Sequence, residues 1–130
     1  MAVTKTSLSA GEIIRAILLE DSDVSARTNK IFPVAIDKAE LPYILYRRIA
    51  LEQNPQKAGQ PGADTVQIEV ICFTKKYGEG VELAEAVRAA LDNCQGSNAD
   101  LRMRSCLLTD SEEAWQDDAY VQQLIFSVKI

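Results

Sequence analysis

The chain has 130 residues (14.3 kDa), 47% hydrophobic and 25% charged, a composition that fits one folded domain and excludes a disordered or fibrous segment. Fourteen Lys and Arg against nineteen Asp and Glu give a net charge of −5 and a pI near 4.7, a poor match to a phosphate backbone, so specific nucleic-acid binding is not expected. Histidine is absent, which removes the commonest general base and the commonest zinc ligand.

At this size roughly two-thirds of the unfolded surface is buried on folding, enough for a core without metal or disulfide support. Cys72, Cys94 and Cys106 are odd in number and form no C-x-x-C, so a reducing compartment is expected. Ile13 to Leu19 is broken by Arg15 and too short to span a bilayer, so neither membrane insertion nor secretion is expected.

The first helix is predicted to begin at Ser9, where Ser9-x-x-Glu12 reads as a capping box, and to run to about Glu20. Its buried stripe is Ile13, Ile14, Ile17 and Leu18. Residues 21–30 are polar and read as a connector, followed by a short extended piece, Ile31 to Ile36. Tyr43 to Leu51 is a strand with apolar residues on both faces at its start, so its first half is expected to be covered on both sides. Glu52 to Ala63 holds two prolines, two glycines and no large apolar anchor, and reads as a mobile loop joining that strand to an alternating one, Asp64 to Thr74.

A second helix, Tyr77 to Asn93, follows with Val81, Ala84, Val87, Ala90 and Leu91 on its apolar side and an i, i+3 pair at Glu85 and Arg88. Leu101 to Leu108 alternates as a third strand, an acidic connection spans Asp110 to Asp118, and the last strand is Tyr120 to Ile130. The expected fold is a single α+β domain over residues 1–130: a four-stranded, mostly antiparallel sheet with two helices packed on it, in the order α-β-β-α-β-β. Sequential strands should pair as hairpins, with the second helix crossing between the two hairpins.

Sites of chemistry are sparse. Lys75-Lys-Tyr-Gly-Glu-Gly80 lies between strand and helix, but Leu83 stands where a dinucleotide fingerprint needs a third glycine, and no G-K-[ST] is present. Asp21-x-Asp23-x-Ser25 opens like a calcium loop yet has Ala26 and Phe32 at the positions that need Gly and Glu. The cysteines lack an activating base, and the adjacent carboxylates at Glu112-Glu113 and Asp117-Asp118 have no fixed acid–base geometry. No catalytic, metal or cofactor-binding residue is assigned, and no cofactor is expected.

Two features point to association. Arg102 and Arg104, with Arg47 and Arg48, can form a basic strip, while Asp110, Glu112, Glu113, Asp117 and Asp118 concentrate negative charge. Opposite patches on one small subunit suit head-to-tail rings, or else pair within the chain or are solvated. The loop from Glu52 to Ala63, carrying Pro55, Gly59, Pro61 and Gly62, is longer than a hairpin needs and can reach about 15–20 Å to order against a neighbour.

The chain resembles the tail-completion family of long-tailed bacteriophages and prophages, the small tail-to-head joining or tail-terminator-type proteins. The residues that carry the resemblance are Glu12-Ile-Ile-Arg-Ala-Ile-Leu-Leu, Leu41-Pro-Tyr-Ile-Leu-Tyr, the Pro/Gly loop, Val66-Gln-Ile-Glu-Val-Ile-Cys-Phe, the Tyr77 to Leu91 helix and Tyr120-Val-Gln-Gln-Leu-Ile-Phe-Ser-Val. The resemblance implies a structural, non-enzymatic virion protein, assembled in the host cytoplasm. It implies a self-associated ring, commonly a hexamer, that closes the head-proximal end of the tail tube and contacts the tail tube protein and the head connector. The alternative is a monomeric α+β module binding a small molecule or peptide in a groove between the second helix and the sheet. An enzyme using carboxylates or Lys is the weakest reading.

Overall fold

The computed structural model describes residues 3–53, 64–98 and 101–130. Its centre is a five-stranded mixed sheet in the order β1-β2-β3-β7-β6, built from β1 (Ile31–Pro33), β2 (Tyr43–Glu52), β3 (Thr65–Thr74), β6 (Ser105–Gln116) and β7 (Ala119–Lys129). A separate two-stranded sheet pairs β4 (Gly96–Asn98) with β5 (Leu101–Met103). The α+β class and the mostly antiparallel sheet are as expected, but the count of four strands and two helices is corrected: the main sheet gains a fifth strand, β1, which runs parallel to β2, and a third helix is present. The other pairings are antiparallel, β2 with β3, β3 with β7 and β6 with β7, so both expected hairpins form.

Helix α1 (Ala10–Glu20) buries Ile13, Ile14 and Leu18 as its spacing requires. The capping box at its start does not form. A 3-10 turn over Ser7–Ser9 precedes it, with Thr6 accepting from the Leu8 N–H at 3.4 Å, while Glu12 turns to Lys5 and Asn98. The supposed connector contains α2 (Ser22–Arg27), capped by Asp21, whose carboxylate accepts from the Val24 N–H at 3.0 Å. The carboxylate that opens an apparent calcium loop thus satisfies a helix start.

Helix α3 (Tyr77–Leu91) buries Gly80, Leu83, Ala86, Val87 and Leu91, a stripe rotated from the expected one. Leu83, Val87 and Leu91 follow the i, i+4, i+8 ridge and carry the larger side chains, so the helix turns that ridge to the sheet. Gly80 sits where a Cβ would lie 2.7 Å from Thr74 Oγ1, so α3 meets β3 closely at this point. The ion pair on α3 is Arg88 with Asp92 at 3.8 Å, in place of Glu85 with Arg88.

The predicted third strand is broken. The Arg104 N–H donates to the Lys129 carbonyl at 2.7 Å and its own carbonyl accepts from Gln95 Nε2 at 3.2 Å, which separates β5 from β6. The acidic stretch read as a connection is the outer half of β6. It reaches β7 through Asp117 and Asp118, with φ of 52° and 60°, the left-handed backbone of a two-residue hairpin turn.

The core lies on one side of the sheet. Ile44, Val66, Ile68, Val70, Cys72, Leu124, Phe126 and Val128 point to the helices and form one cluster with Ile13, Leu18, Leu83 and Leu91. Among the described residues no helix covers the other face, contrary to the two-sided cover expected for β2.

Candidate assembly surface

Strand periodicity sends alternate residues of β2, β3, β7 and β6 to the helix-free face, where the register aligns them in three cross-strand rows. Tyr43, Phe73, Val121 and Ala114 form the first, and Leu45, Ile71, Gln123 and Glu112 the second. Arg47, Glu69, Ile125 and Asp110 form the third. Tyr43 stacks on Phe73 with ring centroids 4.7 Å apart, and Phe32 of β1 extends the aromatic run at 6.5 Å. Phe32, Leu45, Ile71, Phe73 and Ile125 are half-buried. A shallow hollow of about 280 Å³ opens between the β3 and β6 parts of this face, over Ile71, Phe73 and Ala114.

Glu69 stands in the middle of this surface and is only 3% exposed. One carboxylate oxygen accepts from Arg47 Nε at 2.7 Å and the other from Gln123 Nε2 at 2.5 Å, so the buried charge is met from both neighbouring strands. The arrangement is made by the β2–β3–β7 register alone.

Among the described residues, both sides of the sheet end in open backbone. β1 pairs only with Ile44 to Tyr46, and no described strand flanks Arg47–Glu52, where Ile49 and Leu51 are exposed. On the opposite side β6 is the last strand. Its base is closed by Asp92 and Asn93, through Asp92 Oδ1 accepting from the Leu108 N–H at 3.0 Å and the Asn93 N–H donating to Cys106 O at 2.7 Å. Beyond Leu108 no strand flanks it among the described residues.

The hairpin end carries an aromatic cluster on the helix side. Trp115, 57% exposed, meets Tyr120 edge-on at 4.7 Å, and Tyr120 meets Tyr77 at 5.7 Å. Glu113 accepts from Gln122 Nε2 at 2.9 Å and from the Tyr77 hydroxyl at 3.0 Å. The bond from Gln122, then that from Tyr77, holds the Glu113 carboxyl below its usual range, and the same contact with Glu113 raises the Tyr77 phenol. A depressed carboxyl favours the folded arrangement above its unfolded pKa and loses that contribution as pH falls through the folded value. Tyr77→Phe should therefore shift Glu113 titration upward, read from its side-chain carboxyl chemical shift by NMR; an unmoved titration would deny the contact.

The residues singled out in the sequence are dispersed. Arg47 is engaged by Glu69, whereas Arg48 donates to the Leu8 carbonyl at 2.8 Å. Arg102 is exposed on β5 of the small sheet, and Arg104 lies at the β5–β6 break, donating from Nη2 to the Ile130 carbonyl at 3.3 Å. The four arginines therefore do not share one strand face. Glu112 and Glu113 lie on opposite faces of β6, and Asp117 and Asp118 make its turn. Pro55, Gly59, Pro61 and Gly62 lie outside the described residues. Glu69, Gln123 and the Tyr77–Trp115–Tyr120 cluster went unread. A lone acid inside a strand of β-branched residues was the available signal for Glu69.

The expected groove between α3 and the sheet is largely closed by Leu83, Val87 and Leu91, leaving a hollow of about 330 Å³ at the α2 side of Leu83. A larger hollow of about 660 Å³ lies between α1 and β1, beside Arg15, Phe32 and Tyr46. Among the described residues no three Cys, Asp or Glu come together to hold a metal, and no helix is long and apolar enough to cross a membrane.

The fold is similar to that of a chain in the solved structure "Virion of native gene transfer agent (GTA) particle", with a TM-score of 0.74 over 96% of this chain and 98% of that one. Sequence identity to it is 13%, so the likeness is one of fold. Comparison with curated proteins found no match. The family described as Tail completion protein gp17 matches residues 12–128, from within α1 to within β7. By that match over nearly the whole chain, the protein belongs to the tail completion protein gp17 family.

Proposed function

We propose that the protein is a structural part of a phage-type tail, a subunit whose copies form a ring that closes the head-proximal end of the tail tube and meets the head connector. Family membership supports the tail role, and the fold likeness to a virion component agrees with it. The observation that carries the ring is the sheet face that no helix covers among the described residues, flanked by two strand edges that no described strand pairs. Half-buried Leu45, Ile71, Phe73 and Ile125 lose further water contact when a neighbour covers them, at about 25 cal/mol per Å² of apolar surface.

A free edge on β2 and another on β6 are different surfaces, so contact between them is head-to-tail, the kind that closes into a ring when the rotation per subunit divides a full turn. Six copies fit the closure expected of this family. The exposed charges at Arg102, Glu112, Asp117 and Asp118 set register between copies and toward the tube and connector, and the segment holding Pro55, Gly59, Pro61 and Gly62 is proposed to contact a neighbour. No bond is made or broken in this role, and the protein acts without enzymatic turnover.

The test adds purified protein to tail tubes assembled without it, scored by negative-stain imaging of tube ends and by attachment of heads. The wild-type chain should cap one tube end and restore head joining. Ile71→Asp, placing a charge in the middle row, should stay folded by circular dichroism and lose at least tenfold in end-capping. Deletion of Gln53 to Gly62 should do the same. Bare tube ends with the wild-type chain would reject the proposal, and undiminished capping by both variants would reject the surfaces assigned to it.

A further inference from the structure

Cys94, in the connection after α3, and Cys106, on β6, meet where the chain leaves the helix. Asn93, with φ of 66°, donates its N–H to the Cys106 carbonyl at 2.7 Å, and Asp92 Oδ1 accepts from the Leu108 N–H at 3.0 Å. These two bonds clamp residues 92–94 against 106–108 and bring the Cys94 and Cys106 side chains together. Cys94 is partly open to solvent, whereas Cys106 is buried behind it. The third cysteine is out of reach. Cys72 is in register with Gln122 and Cys106 with Val128, which places them six residues apart along β7, about 20 Å at the rise of a strand.

We propose that Cys94 and Cys106 form a redox modification site, a dithiol that closes to an intrachain disulfide on meeting a low-molecular-weight disulfide such as oxidised glutathione. Cys94 is the attacking group. The neighbouring Cys106 thiol lowers the pKa of Cys94, while the same pairing and burial raise that of Cys106, so the solvent-facing sulfur deprotonates first. Its thiolate attacks one sulfur of the oxidant and expels one glutathione thiolate, leaving a mixed disulfide on Cys94. Cys106 then gives its proton to solvent and attacks the Cys94 sulfur, expelling the second glutathione. Two protein thiols are oxidised, one glutathione disulfide is reduced to two thiols, and no other reactant is needed.

The link would tie the end of α3 to the base of β6 and fix the β4–β5 sheet, which packs against α1 at Gly96, where a Cβ would lie 2.9 Å from Ile13. A protein that is made in a reducing interior and serves outside it would cross from the dithiol to the disulfide form. That timing rests on the tail reading, whereas the chemistry does not.

The test incubates the folded full chain with oxidised glutathione under anaerobic conditions, then measures intact mass, free thiols after denaturation, and the peptide map. The expected result is a mass lower by about 2 Da, for two hydrogens lost, with titratable thiols falling from three to one and a linked Cys94–Cys106 peptide. Cys72→Ser should leave the linkage unchanged, and Cys106→Ser should stop at a glutathione adduct on Cys94. Three surviving thiols, a lasting adduct on wild-type Cys94, or a bond involving Cys72 or a second chain would each overturn the proposal. The wild-type measurement decides the matter even if Cys106→Ser fails to fold.

Discussion

Replacing Phe126 with Ala should lower the unfolding free energy by about 3–5 kcal/mol and the melting temperature by roughly 10–20 °C. Phe126 is fully buried in the middle of β7, between Ile68 of β3 and Leu108 of β6, with the helices above it. Deleting its ring removes transfer free energy and leaves a cavity that two hydrogen-bonded neighbour strands cannot collapse to fill. The loss is a large share of the stability of a domain this size. Ile125, the adjacent residue, faces the helix-free side, so Ile125→Ala should cost the monomer only about 1–2 kcal/mol. Urea unfolding of both variants checks the contrast. Equal losses would mean that the core is not one-sided.

Arg47→Met should cost about 1–3 kcal/mol, because it leaves the buried Glu69 carboxylate with Gln123 as its remaining side-chain donor. The upper part of that range is moderated by the 52% exposure of the Arg47 side chain, which admits water to the pair. Adding Glu69→Leu to Arg47→Met should recover most of the loss, since a leucine needs no donor and fits among Leu45, Ile71 and Ile125. The measurement is the urea midpoint at constant slope. A double variant as unstable as the single one would show that the cost does not arise from a stranded charge.

Local periodicity made α1, β2, β3, α3 and β7 legible in the sequence, because each buries one stripe or one alternate set of side chains. The outer half of β6 was not, since Ser111, Glu112, Glu113 and Ala114 have weak strand preference and all are exposed. That segment is a strand because β7 supplies its hydrogen bonds, a cause outside the segment. The Asp117-Asp118 pair was the available clue, as Asp tolerates left-handed backbone better than most residues. The extended piece from Ile31 was legible and holds β1, but its place as a sheet strand was not, since a three-residue strand parallel to β2 depends on that partner and has no pattern of its own.

α2 is too short for periodicity, although Asp21 three residues before Val24 was a readable cap. The Ser9 cap failed because Thr6 starts a turn earlier and Glu12 has other partners. For the assembly surface, the sequence displayed its charges but not its apolar rows. Those rows exist only once the register brings Leu45 beside Ile71 and Tyr43 beside Phe73.

The place of β7 between β3 and β6 has a consequence for biosynthesis. It follows every other described element in the chain, yet it supplies the hydrogen-bonding partner for two strands that do not touch each other. A chain that stops before residue 119 has β3 and β6 both without that partner, and its sheet cannot close. Translation must therefore run through β7 before the five-stranded sheet can form as a whole.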